Sequence, residues 1–119
     1  MNKPDDSLAV HNFYTHSDAY TQAEVFEQLL AGKDFRLQRI ISGGQSTPEG
    51  EWYDQDDHEW VLLLSGHARL RFEASDEVRE LYPGDYIHIP AHCRHRVEYT
   101  ALDAPSVWLA VQYCEIEEQ

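Results

Sequence analysis

Gly84-Asp85-Tyr86-Ile87-His88-Ile89-Pro90-Ala91-His92-Cys93-Arg94-His95 is the stretch from which the fold can be read. Gly84 sits in a Pro-Gly-Asp break, where a residue without Cβ permits a turn with positive φ. Tyr86 to Ile89 form a short strand, and Pro90 ends it at a point where no ladder donor is needed. A loop then delivers His95. Upstream, Glu59-Trp60-Val61-Leu62-Leu63-Leu64-Ser65-Gly66 reads as a buried strand with a carboxylate at its head and a Ser-Gly turn at its foot. His67 to Glu73 alternate apolar and polar residues, Ser75-Asp76-Glu77 makes a hairpin turn, and Val78 to Leu81 return. Further strands are expected near Arg96 to Tyr99, from Ser106 to Tyr113, and from Phe35 to Ser42. Many short strands, punctuated by Gly and Pro without intervening helices, indicate an antiparallel sandwich or barrel.

The beginning of the chain reads differently. Residues 1 to about 12 are polar, with Pro4, Asp5 and Asp6, and read as a loosely attached arm. Thr21-Gln22-Ala23-Glu24 has the form of a capping box, Val25, Phe26, Leu29 and Leu30 make an apolar stripe, and Gly32 stands where a helix ends. These features predict a short amphipathic helix laid over an open side of the sheet. The organisation expected is a single domain, with residues 1–34 as arm and helix and 35–116 as the barrel.

Composition narrows the partners. The 119 residues carry 9 Lys and Arg against 22 Asp and Glu, a net charge of −13, which repels phosphate backbones and anionic lipid surfaces. Neither nucleic acid nor a membrane is expected as a partner. The longest apolar run, Val61 to Leu64, is far short of a bilayer span, and the first residues do not resemble a secretory signal, so a soluble, cytoplasmic protein is expected. Cys93 and Cys114 form no CxxC pair or disulfide framework, and buried, reduced thiols are expected.

The quoted stretch, a glycine, five residues, a proline, four residues and a histidine, resembles the second sequence motif of the cupins. Glu59 and Gly66, seven positions apart, resemble the second half of the first cupin motif. The resemblance covers roughly residues 35 to 113, and the phrase Trp52-Tyr53-Asp54-Gln55-Asp56-Asp57-His58-Glu59-Trp60 is similar to a subgroup of small single-domain bacterial cupins. The resemblance implies an all-β fold, the double-stranded β-helix or jelly-roll barrel, with Glu59 and His95 projecting inside it. It also implies a divalent metal ion (Zn, Fe, Mn or Ni) in the barrel. The chain departs from the family pattern at one place: the His-x-His pair that precedes the glutamate is replaced by Tyr53 and Gln55, or by Trp52 and Asp54 at the longer spacing.

What remains is a donor set of Gln55, Glu59 and His95 for a metal, with Tyr53 and Glu59 as catalytic candidates. Asp54, Asp57 and His58 are alternatives to Gln55. Period-two alternation places Tyr53, Gln55 and Asp57 on the side of Glu59 and turns His58 away from it. Loss of two imidazoles weakens such a site for zinc, iron or nickel. The acidic group Asp54, Asp56 and Asp57 reads as a solvated loop, His88 and His92 as surface residues, Arg69 and Arg71 as the polar face of a hairpin, and Trp52, Trp60 and Trp108 as core or interface aromatics. Two functions follow. One is a metal-dependent enzyme of oxygenase or isomerase type acting on a small molecule; the other is a non-catalytic module that binds or senses a small molecule with a degenerate metal site. A homodimer is expected, paired through the edge or back of a sheet with the apolar residues from Val107 to Tyr113 as its surface.

Overall fold

The structure, a computed structural model, describes residues 8–114; the first seven residues of the expected arm and the last two of the expected 35–116 barrel lie outside them. Eight strands follow in order: β1 Val25–Ala31, β2 Phe35–Ser42, β3 His58–Ser65, β4 Ala68–Phe72, β5 Glu77–Leu81, β6 Tyr86–Ile89, β7 His95–Thr100 and β8 Ser106–Tyr113. They form two antiparallel sheets, a five-stranded one in the order β1-β2-β8-β3-β6 and a three-stranded one in the order β5-β4-β7. Val61, Leu63, Leu70, Leu81, Ile89, Trp108 and Ala110 fill the space between them. This is the expected all-β jelly-roll, with two regions of the chain placed differently from the sequence reading.

The first is the segment expected as a helix. Residues 25–31 are a strand paired with β2, preceded by a 3-10 turn at Ala19–Thr21. Thr21 caps nothing: its hydroxyl donates to the Asp18 carbonyl at 2.8 Å, and Glu24 accepts the Ser42 hydroxyl at 2.5 Å. The physical reason is the edge of β2, whose outer row of N–H and C=O groups would otherwise be left unpaired. A bulge between Gln28 and Leu30 explains why the stripe looked helical. Phe26, registered with Ile40, faces inward, whereas Val25 and Leu30 are registered with Ile41 and Leu37 on the outer face, so a two-faced strand imitates a one-faced helix.

The second is β8. It lies between β2 and β3 and therefore has no free edge for a second copy. Only its back remains, where Leu109, Val111 and Tyr113 are half-buried. Cys114, just beyond it, is exposed rather than buried, while Cys93 is half-buried against the core; neither is in a disulfide. None of the described helices is long and apolar enough to cross a membrane.

Two turns show why glycine is needed where it stands. Gly66, between β3 and β4, has φ +90° and lies so close to β8 that an added Cβ would be 2.3 Å from Ser106 Oγ and 2.5 Å from its Cα. Gly84 has φ +94° but open space around it. Gly84→Ala should therefore cost about 1 kcal/mol, for the left-handed backbone alone. Gly66→Ala carries the steric clash as well, and should cost about 2–4 kcal/mol, or some 10 °C or more in Tm. Equal melting temperatures for the two variants would refute this account of the β3–β4 corner.

Candidate functional site

Between the sheets lies a cavity with an empty volume of about 560 Å³, part of it open to solvent. Its walls are apolar, with Ile40, Val61, Leu70, Ile89, Val97 and Trp108 among them. Tyr53, Gln55, Glu59 and His95, the residues singled out in the sequence, all line it. Strand alternation explains the first residue of β3 to enter: Glu59, Val61 and Leu63 point inward, and the register sets Glu59 opposite Ile89 on β6 and Gln112 on β8.

Glu59 is 7% exposed and His95 5% exposed. A carboxylate at that depth needs partners. Gln112 Nε2 donates to Glu59 Oε2 at 3.1 Å, and the orientation of that amide is set from behind, because its Oε1 accepts from Arg36 Nε and Nη2 at 3.1 and 2.6 Å. Arg36 in turn pairs with Asp57 at 3.1 Å. The other carboxylate oxygen, Oε1, faces His95 Nε2 across 3.8 Å, which is beyond hydrogen-bond reach. His95 Nδ1 lies 2.8 Å from the Cys93 carbonyl; a carbonyl only accepts, so Nδ1 carries a proton and the ring is turned with Nε2 towards Glu59.

Tyr53 is held by a short bridge to the same histidine. Its N–H donates to the His95 carbonyl at 2.7 Å, the His95 N–H returns to the Tyr53 carbonyl at 3.1 Å, and the two rings stack with centroids 5.6 Å apart. Burial, followed by the negative charges of Glu24 and Glu59, raises the Tyr53 pKa above the ordinary phenol value, against a hydrogen bond from Thr47. The phenol stays neutral across the physiological range and can donate. Gln55 reaches the cavity while its carbonyl accepts the His92 N–H at 2.8 Å.

The alternatives to Gln55 lie elsewhere. Asp54 accepts from His92 Nδ1 at 2.9 Å and raises the His92 pKa. Asp57 is bound to Arg36, and His58, on the outer face, accepts the Ala91 N–H and packs its ring against Tyr113. Arg69 and Arg71 pair with Glu80, Asp76 and Glu98 as the polar face of the hairpin. Trp60 packs at a tilt against Tyr86 on the back of the sheet, Arg96 lies over Trp52, and Trp108 lines the cavity.

Glu24, Gln38 and Gln112 also line the cavity, and the sequence reading missed all three. Gln112 had a signal: it is a long polar side chain at an inward position of a mostly apolar strand. Glu24 was hidden by its place in the apparent capping box.

The donor set bears on a metal. Glu59 and His95 are two ionisable donors, one Glu59 oxygen is taken by Gln112, and Gln55 offers only a neutral amide. Among the described residues no group of three His, Cys, Asp or Glu side chains converges to hold a metal ion. The set does not fit a resident first-row ion, which calls for three or four imidazole, thiolate or carboxylate ligands.

Fold and site together define a small antiparallel barrel with one polar-floored cavity. The chain belongs to the cupin family: residues 37–112 match the family model described as a cupin domain. It is 41% identical, with a TM-score of 0.85, to a solved structure from Ralstonia eutropha described as a "putative mannose-6-phosphate isomerase", covering 90% of this chain and 99% of that one. It is similar in fold to the polyketide cyclase RemF from Streptomyces resistomycificus, at 20% identity, a TM-score of 0.70, and 97% and 81% of the two chains. A cupin superfamily protein from Desulfitobacterium hafniense matches at 17% identity, a TM-score of 0.65, and 97% of both chains. No curated protein matches the chain.

Glu24 gives a pH test of this site. Burial raises its pKa above the ordinary carboxylate value, opposed by the Ser42 hydrogen bond. Between the unfolded value and the raised folded one, the folded state binds more protons, so Glu24 makes stability fall as pH rises through that window. Glu24→Gln should therefore melt at a higher temperature than the wild type at pH 7–8, with the difference vanishing below about pH 4.5. A variant that is less stable than wild type at neutral pH would show that the carboxylate is stabilised rather than penalised there.

Proposed function

We propose that this cupin is a small-molecule-binding module whose barrel works without a resident metal, with Glu59 and His95 fixing the polar end of the ligand. One observation carries the reading: a nine-tenths-buried carboxylate and imidazole face each other across 3.8 Å, unjoined, at the polar end of an apolar cavity. A purely structural pair would close to hydrogen-bond distance. An open pair leaves two polar atoms for a guest. Tyr53 adds a neutral hydroxyl and Gln55 an amide, while the apolar wall takes the body of the ligand.

The metal-dependent enzyme, with Gln55, Glu59 and His95 as ligands and Tyr53 and Glu59 as catalytic groups, is the weaker reading on the donor count given above. The name of the Ralstonia protein is not carried over either. A sugar phosphate needs cationic groups to meet it, and the cavity lining contains no Lys or Arg.

Elemental analysis of the purified, untagged protein, run beside calorimetry with three phenyl compounds of different charge, tests the proposal. Less than about one metal in ten chains, with at least one compound bound after chelation, is the expected outcome. Stoichiometric metal that is lost in His95→Ala would overturn the metal-free reading, and no binding of any compound would overturn the binding reading.

The oligomer belongs to the same proposal. The back of the five-stranded sheet carries Trp60, Leu109 and Val111 half-buried and Tyr86 66% exposed, and two such faces are self-complementary about a twofold axis. Light scattering at micromolar concentration should give a dimer, and Trp60→Asp a monomer; a monomeric wild type refutes it.

A further inference from the structure

We propose that the ligand is an organic ammonium, a molecule with an apolar body of about one ring and a protonated amine, drawn into the cavity that Glu24, Glu59 and His95 line. The inference rests on the small-molecule reading above and names the class of ligand.

The cavity is rich in acceptors and poor in donors. Two carboxylates, Glu24 and Glu59, line it together with the imidazole of His95, and no Lys or Arg does. Arg36, beside Gln112 on the inward face of β2, does not line the cavity and is engaged with Asp57 and with the Gln112 carbonyl oxygen. The decisive feature is the open pair. Glu59 Oε1, the carboxylate oxygen that Gln112 does not take, stands 3.8 Å from His95 Nε2 with no hydrogen bond between them. A buried carboxylate oxygen left open in this way calls for a donor. An ammonium has three N–H donors and no acceptor.

Glu24 extends the same pattern from the other side of the cavity. Its Oε2 accepts the Ser42 hydroxyl, and a cation would hold it ionised despite its burial. The rings of Phe26, Tyr53 and Trp108 also line the cavity, and aromatic faces attract cations. A carboxylate or phosphate would meet the opposite: lone pairs against lone pairs, in a chain with a net charge of −13.

The test is calorimetry on the full-length, chelator-treated protein with three compounds of one shape: 3-phenylpropylamine, 3-phenylpropanol and 3-phenylpropionate. The amine should bind about tenfold or more tightly than the alcohol, and the carboxylate should not bind, as expected for one or two charge-assisted hydrogen bonds. Glu24→Gln and Glu59→Gln should each weaken the amine about tenfold and leave the alcohol within about twofold. Glu24→Gln, at a partly exposed position, keeps the test open if Glu59→Gln fails to fold. Alcohol or carboxylate bound as tightly as the amine, or amine binding unchanged in Glu24→Gln, would overturn the ammonium assignment while leaving a binding barrel in place. No binding of any of the three would overturn both.

Discussion

A carboxylate buried inside an apolar barrel is the constraint around which this molecule is arranged. Glu59 opens the inward row of β3, ahead of Val61 and Leu63, and is 7% exposed. Leaving such a group without partners would cost several kcal/mol. The chain answers with a line of oriented groups that crosses the sheet. Asp57 holds Arg36, Arg36 holds the oxygen of the Gln112 amide, and the Gln112 NH₂ is thereby turned to donate to Glu59. Each member leaves the next a single orientation, so the amide cannot flip without placing its oxygen against the carboxylate. One Glu59 oxygen is satisfied from the sheet and the other is left for the cavity.

His95 is organised in the same way from the opposite side. The loop after Pro90 returns the chain so that the Cys93 carbonyl accepts Nδ1, and the two hydrogen bonds between the Tyr53 and His95 backbones hold the ring under the Tyr53 phenol. Backbone groups therefore determine which nitrogen faces Glu59. In metal sites this arrangement orients an imidazole towards its ion. Here a single histidine keeps the orientation, while the positions that would supply further imidazoles hold Tyr53 and Gln55. Without enough companions to bind a first-row metal, that nitrogen remains an oriented polar group facing Glu59 across the cavity.

How much of this was legible depended on whether the controlling contact was local. Gly84, Pro90 and His95, like Glu59 and Gly66, owe their roles to turns and strand ends a few residues long, and their spacing in the sequence places them correctly. Tyr53 and Gln55 were found by counting in twos from Glu59. The count held although 54–57 are not a strand, because Tyr53 forms its own bridge to His95; it failed at Asp57, which turns to Arg36. Gln112 was invisible as a partner because its contact with Glu59 joins positions 53 apart through the β3–β8 register. Glu24 was misread for a related reason: a capping box and an apolar stripe are local signals, and a free strand edge elsewhere in the fold overrode them.

That override also shapes the mouth of the cavity. A helix over residues 21–32 would have laid its apolar stripe across the barrel as a cover. As a strand, the segment instead extends the five-stranded sheet at its β2 end, where β1 pairs with β2 alone. The facing sheet has only three strands. Phe26, on the inward face of β1, consequently lines the cavity and is still 53% exposed. Edge pairing satisfies the backbone of β2 at the expense of an uncovered inner face, and under the proposal above that face, with Phe26 at the rim and Glu24 beside it, would be the side from which a ligand enters.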